Sequence, residues 1–443
     1  MCVSVFSGTT RKMERRKAMG KNVNEKICII GGGPAGLAAA MYLEKKGYGN
    51  YTILEKSDHV GGKCNSPVYK GKRYEMGAIM GVPEYRTIGE IMEFCGVKPD
   101  GPMLDREFRR PNGKVYNPFG GIRLFKGVQV KSQVKRLGNL LETKYKGYDK
   151  NGHYEKVHPD MTLPFDDFVT MNKVPAVRDI WINPFTSFGY GFFDNVATAY
   201  VLKYLDMPTM ISFIKKDLWT WANGTQYIWE CLNEKLKNKA VLNADIKKVT
   251  RTGGKVQVTT QDGTEEYDKL IITAPLDGFI EYSDADKDEK EYFSKITHND
   301  YLVHACLVKN YPTISGYLPD NMTPRRLGHV MVYYHRWAGE PDQVITTYVL
   351  RNHPDLRTLS VEECRKMVLE DMKSYGFEVK EIINEKSWYY FPHVSAADYK
   401  AGWYDKVEGM QGRNNTNYAG EVMSFGDMDE TAEYSKGIAE RFF

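Results

Sequence analysis

The clearest pattern of apolar and polar positions lies near the start of the chain. Ile27, Cys28, Ile29 and Ile30 form a continuous apolar run of strand length, which marks a strand buried on both faces. A glycine turn over residues 31–36 follows, then an apolar helical stretch over 37–46 and a second short apolar strand over 51–54 that ends in Glu55. In such a turn Gly31 permits the sharp reversal, Gly33 lets the backbone approach a pyrophosphate, and Gly36 lets the helix pack on the strand. Ala35 lies in the first helical turn, whose N–H groups face the phosphate charge. Glu55 follows the glycines by about 20 residues, the interval at which this kind of unit places an acceptor for a ribose hydroxyl. Strand, turn, helix, strand and acid in this order indicate a bound dinucleotide.

The remaining runs divide the chain. Short strands at 246–249, 256–259 and 270–273 are punctuated by Gly253, Gly254, Asp262 and Gly263. Residues 85–239 are patterned mainly as helix, with aromatic and methionine enrichment in 181–193 and 207–229. Residues 281–410 carry strand-like runs at 301–308, 329–334, 344–350 and 388–391. An amphipathic helix at 361–375 is expected to cover them, by the spacing of Cys364, Met367, Val368 and Met372. A final helix is expected over 428–442.

At 443 residues the chain is long enough for two or three domains. Its apolar residues, 42% of the total, never form a run of the ~18 needed to cross a bilayer, so no transmembrane segment is expected. The net charge of +4 is concentrated: residues 1–26 hold seven Lys or Arg against two Glu, giving +5 and leaving −1 for the rest. This basic extension would suit anionic lipid or nucleic acid but reads as an unstructured tail without the apolar core of a secretory signal. No nucleic-acid partner is expected, a peripheral membrane contact is left open, and the oligomeric state is not legible. The seven cysteines form no C-x-x-C pair, which argues against a zinc or dithiol centre and suits free thiols in a reducing cytoplasm. Cys64 is read as a small buried hydrophobe. No two histidines stand at an i, i+4 metal-binding interval; His153, His329 and His335 are read as surface or hydrogen-bonded residues, and no metal is expected.

Beyond Glu55, the sequence Gly61, Gly62, Lys63 offers a second backbone approach to the same pyrophosphate, and Tyr418, Ala419, Gly420 and Glu421 precede the last helix. Together these segments resemble the family of FAD oxidoreductases that includes amine oxidases and phytoene desaturases. The resemblance implies that FAD is the cofactor, with Ile246 against the adenine. No second glycine signature follows a later strand, so no separate nicotinamide domain is expected. The fold class that follows is α/β: a discontinuous Rossmann-like FAD-binding domain (26–84, 240–280 and 411–443), a helical cap over 85–239 and a β-rich, mixed-sheet substrate domain over 281–410, after a basic extension at 1–25.

A narrower resemblance rests on residues 73–83, 181–186, 217–221, 328–337 and 423–426, which are similar to the bacterial FAD-dependent polyunsaturated fatty acid isomerases over nearly all of the chain from residue 26. It implies conversion of a free cis,cis-1,4-diene fatty acid such as linoleate to a conjugated, trans-10,cis-12 type diene, through hydride transfer to and from flavin N5. No side chain then has to act as acid or base; the sequence shows no Ser/His/Asp set or paired carboxylates at a recognisable spacing. The resemblance further implies that Arg106 binds the fatty acid carboxylate, a role suited to a planar guanidinium. Asp105, its neighbour, is the competing partner. Phe188 and Phe213 are implied to line or gate the channel. Lys63, Gly77, Ala78, Ile79 and Glu421 are implied flavin contacts, and Met428 places a backbone N–H at the start of the last helix near the flavin's pyrimidine oxygen. Two rivals remain: an oxidase or desaturase of an apolar substrate or amine that passes electrons to oxygen or a quinone, and a lipid carrier in which FAD is structural.

Overall fold

The computed structural model describes residues 22–116, 124–146, 156–309, 314–337 and 343–443. The basic extension up to residue 21 and His153 lie outside the described residues.

Strand β1 (Ile27–Ile30) is buried at every position because it is flanked on both sides. It pairs in parallel with β2 (Tyr51–Leu54) on one edge and β3 (Lys269–Ile272) on the other, and β3 pairs in parallel with β4 (Thr416–Tyr418). Helix α1 (Pro34–Lys45) joins β1 to β2; Pro34 at its first position has no N–H to leave unsatisfied. Helix α2 (Met428–Phe442) packs against α1. The parallel sheet is therefore stitched together from three distant stretches of chain. Strands Ile246–Thr252, Lys255–Thr260 and Gly263–Tyr267 do not enter it but form an antiparallel sheet of their own, and Lys269–Ile272 alone carries that stretch back into the parallel sheet.

The second large sheet has seven strands and mixed pairing. Next to one edge β5 (Thr297–Lys309) runs antiparallel to both Gln343–Leu350 and the edge strand β6 (Glu378–His393). One of its strands, β7 (Arg106–Arg109), comes from the stretch patterned mainly as helix and pairs in parallel with Ser315–Tyr317. Its residues Arg106, Glu107, Phe108 and Arg109 are all half-buried, so no alternation of polar and apolar positions announced it. Helix Val361–Ser374 opens with a capping box between Ser360 and Glu363 and packs on β6. Short helices, including α3 (Pro175–Thr186) and α4 (Met207–Lys215), fill much of the stretch patterned as helix. Among the described residues no helix is long and apolar enough to cross a membrane.

Candidate active site

At the carboxyl end of β1 the chain reverses at Gly31, whose φ of +112° is open only to glycine. A Cβ on Gly36 would stand 1.8 Å from the Gly31 carbonyl oxygen, so the helix packs directly on the turn. Gly33 and Gly62 bring two loops backbone to backbone: a Cβ on Gly62 would meet the Gly33 Cα at 3.3 Å. Helix α1 begins after Gly33 with no side-chain cap and no acid in its first turn, which leaves its positive end open to a ligand. The cavity it faces has a volume of about 510 Å³. Gly31, Gly33, Ala35, Glu55, Gly62, Lys63, Ile246 and Glu421 all line it. The Glu55 carboxylate accepts hydrogen bonds from the N–H groups of Gly32 (2.6 Å) and Ser57 (2.7 Å), which orient it along the cavity wall. Lys63 and Glu421, 358 residues apart, form an ion pair at 2.5 Å. An uncapped helix start, two facing glycines and a fixed acidic acceptor fit an extended dinucleotide.

Gly77, Ala78 and Ile79 lie on the same loop from the other side. The Ala78 N–H donates to the Lys63 carbonyl at 2.9 Å, and a Cβ on Gly77 would stand 1.8 Å from that oxygen. Side chains from far away hold this segment. Trp337 donates to the Arg73 carbonyl (2.7 Å), Tyr348 to that of Glu75 (2.8 Å) and Trp388 to that of Met76 (2.6 Å). The Glu75 carboxylate, 3% exposed, meets the Arg336 guanidinium at 3.0 Å and accepts from Ser66 and Thr225. Burial raises its pKa against the opposing pull of that cation.

A second, smaller cavity of about 70 Å³ adjoins the first. Gly77, Ala78, Ile79 and Met428 line it. So do aromatic rings: Phe188 with Tyr85, Tyr190, Tyr204, Tyr301 and Tyr390. Their rings meet at centroid distances of 4.9 Å for Tyr190 with Tyr204 and 5.0 Å for Tyr301 with Tyr390. Two hydroxyls are tied to backbone carbonyls, Tyr301 to Ser187 at 2.6 Å and Tyr190 to Gly426 at 3.2 Å. Burial pushes the phenols of Tyr85, Tyr190, Tyr204 and Tyr301 well above their ordinary range, so they stay neutral. Asp427 also lines this cavity and caps α2, accepting from the N–H groups of Asp429 (2.8 Å) and Glu430 (2.9 Å). Burial pushes its carboxyl towards the neutral form.

Phe188, Phe213 and Arg106 come together in series. Phe188 lines the aromatic cavity; its ring lies 6.0 Å from that of Phe213 on α4; and the Phe213 carbonyl accepts a hydrogen bond from the Arg106 guanidinium. Asp105 turns the other way, pairing with Lys216 at 2.8 Å, and among the described residues Arg106 has no carboxylate partner. The competing Asp105 to Arg106 pair is therefore not what the structure forms. The five tyrosines, Asp427 and the Glu75 to Arg336 pair were not singled out from sequence. For the tyrosines the only signal was an aromatic content of 13% and the enrichment in 181–193, whereas Glu75 and Arg336 lay unremarked inside the segments 73–83 and 328–337.

The model of flavin-containing amine oxidoreductases matches residues 34–417. The chain belongs to that family. Its cofactor is FAD, and its parallel sheet and mixed substrate sheet are that family's architecture. The crystal structure of a CLA-producing fatty acid isomerase from P. acnes is 62% identical, covers 96% of this chain and all of its own, and superposes with a TM-score of 0.94. The polyenoic fatty acid isomerase of Ptilota filicina is 24% identical over 297 residues, which make up 58% of each chain. A putrescine oxidase bound to putrescine shares the fold at 15% identity and a TM-score of 0.70, covering 94% of this chain.

Proposed function

We propose that this protein isomerises a polyunsaturated fatty acid such as linoleate to a conjugated linoleic acid, of the trans-10,cis-12 type. The 62% identity to the P. acnes isomerase over nearly the whole chain carries this reading. The series from the aromatic cavity through Phe188 and Phe213 to Arg106 supports it. When bound, FAD supplies at N5 a site that can accept a hydride and give it back, so the reaction leaves no net redox change.

The chain's own residues do the rest. Arg106, with no carboxylate partner among the described residues, takes the fatty acid carboxylate through its planar fork. Phe213 and Phe188 separate that contact from the aromatic cavity and keep water from it. The ring faces around the cavity stabilise positive charge developing on the diene, by about 0.5 to 2 kcal/mol where it is desolvated. Phenols held neutral by burial offer no phenolate base at the cavity. Lys63, Gly77, Ala78, Ile79 and Glu421 form the seat of the cofactor, with Glu55 and Ile246 at its far end. Met428 stands at the start of α2, whose end of the helix dipole is positive. Anaerobic incubation of the purified yellow protein with linoleate tests the proposal. Steady growth of conjugated-diene absorbance without oxygen is expected; growth only when oxygen is supplied, with oxygen consumed, would replace it with an oxidase.

A further inference from the structure

One wall of the dinucleotide cavity comes from the substrate-domain sheet, where no part of the glycine signature reaches. Strand β6 is 16 residues long, and its register against β5 shifts between Thr297 and Asn299, close to Phe391, whose φ is +48°. Before that bend Lys386, Trp388 and Tyr390 share one face by the two-residue period of a strand. Tyr390 lines the aromatic cavity, whereas Trp388 and Lys386 line the larger one. At about 3.3 Å per residue the three run along some ~13 Å, from the aromatic end outward.

This face is built, not incidental. Trp388 is anchored by its indole N–H to the Met76 carbonyl at 2.6 Å, the same segment that presents Gly77 and Ala78. The Lys386 ammonium stands 4.8 Å from the centre of the Trp388 ring, and among the described residues it has no carboxylate partner. Lys63, on the same cavity, is already neutralised by Glu421. Tyr389 lines the cavity too, 74% exposed, with its ring 5.8 Å from that of His298. A cation held over a fixed indole, beside an uncovered aromatic ring, meets a cavity that receives a doubly charged pyrophosphate.

We propose that Lys386, steadied by Trp388 and flanked by Tyr389, is a clasp through which the substrate-domain strand binds the anionic half of FAD. The cofactor then bridges the two sheets, and its presence fixes the strand that also carries Tyr390. The purified holoprotein tests this without turnover, so the outcome is independent of the isomerase reading. FAD released on repeated dilution and filtration is measured by its fluorescence, at low and at high salt, for the wild type, Lys386→Gln and Lys386→Arg. Lys386→Gln should release FAD about tenfold more readily at low salt, as loss of one charge-assisted contact implies. The gap should narrow at high salt, where the wild type's contact is screened. Lys386→Arg should restore retention, and the thermal midpoint of the apoproteins should be the same. Wild-type retention in Lys386→Gln, or a loss that salt does not narrow and arginine does not restore, would overturn the clasp.

Discussion

The cavity over the glycine turn and the aromatic cavity beside it share Pro34, Lys63, Glu421 and Thr431, yet their walls are made of different material. On the side of the glycine turn the first is main chain: two glycine loops in backbone contact and a helix start without a cap. The glycines and Glu55 of that side sit within some thirty positions of one another. The second is side chain: rings contributed by segments as far apart as Tyr85 and Tyr390, held by hydrogen bonds from hydroxyl to carbonyl. Main chain offers donors of fixed geometry to a phosphate whatever the neighbouring side chains are. Aromatic faces are suited to a long apolar substrate whose charge appears only during reaction. The first wall should thus tolerate little change of backbone, and the second should respond in substrate preference before it responds in stability.

The largest effect should come from glycine. Gly36→Ala forces a Cβ against the Gly31 carbonyl, a backbone atom that cannot rotate away. A loss of about 3 kcal/mol in denaturant unfolding, together with most of the bound flavin, is expected. Gly89→Ala, in a helix and with nothing within 4 Å of the new Cβ, should be neutral or slightly stabilising and serves as the control. Next, Glu55→Ala removes the acceptor at the far end of the cofactor and the bond from the Gly32 N–H. FAD should bind roughly ten to a hundredfold more weakly, a cost of about 1.5 to 3 kcal/mol, as read from flavin content at limiting FAD.

A smaller and more selective effect is expected on the other side. Arg106→Ala should raise KM for free linoleate about tenfold and leave its methyl ester almost unaffected, so that acid and ester become similar substrates. Equal losses for both, with easier unfolding, would mean that the contact from Arg106 to the Phe213 carbonyl is structural.

The smallest effect is a pH dependence in the first turn of α2, whose Met428 lines the aromatic cavity. Burial pushes the Asp429 carboxyl up to about 8, whereas in the unfolded chain it ionises near its ordinary value of about 4. Its stabilising contribution is therefore complete below about pH 4 and is lost as pH rises through about 8. Asp429→Asn keeps an acceptor for the Ile88 N–H and cannot ionise. Its melting temperature should draw level with or pass the wild type by about 2 °C as pH goes from 5 to 9.

The dinucleotide half was legible because its chemistry is local. Gly31, Gly33, Gly36 and Glu55 lie in one strand, turn, helix, strand unit, and their spacing alone fixes their relative positions. Strands that alternate or run apolar, such as Tyr301 to Val308, were legible for the same reason. The strand carrying Arg106 was not, because a half-buried strand of charged residues has no period to read. Nor were Tyr85, Tyr190, Tyr204, Tyr301 and Tyr390. An aromatic residue looks alike in sequence whether it fills a core or lines a cavity, and only the folded chain brings these five to one cavity. Arg106, Phe188 and Phe213 were reached through resemblance; their order in space came from the structure.

The central claim is that one hydride leaves the substrate and returns to it within a single turnover. Linoleate deuterated at its doubly allylic carbon tests it most directly, with product analysed by mass spectrometry alongside a peroxide assay. The account predicts a conjugated diene that keeps a substantial part of the label at a new carbon, with some loss by exchange at N5, and no hydrogen peroxide. Solvent hydrogen in nearly every product molecule, or one peroxide formed for each diene, would contradict it.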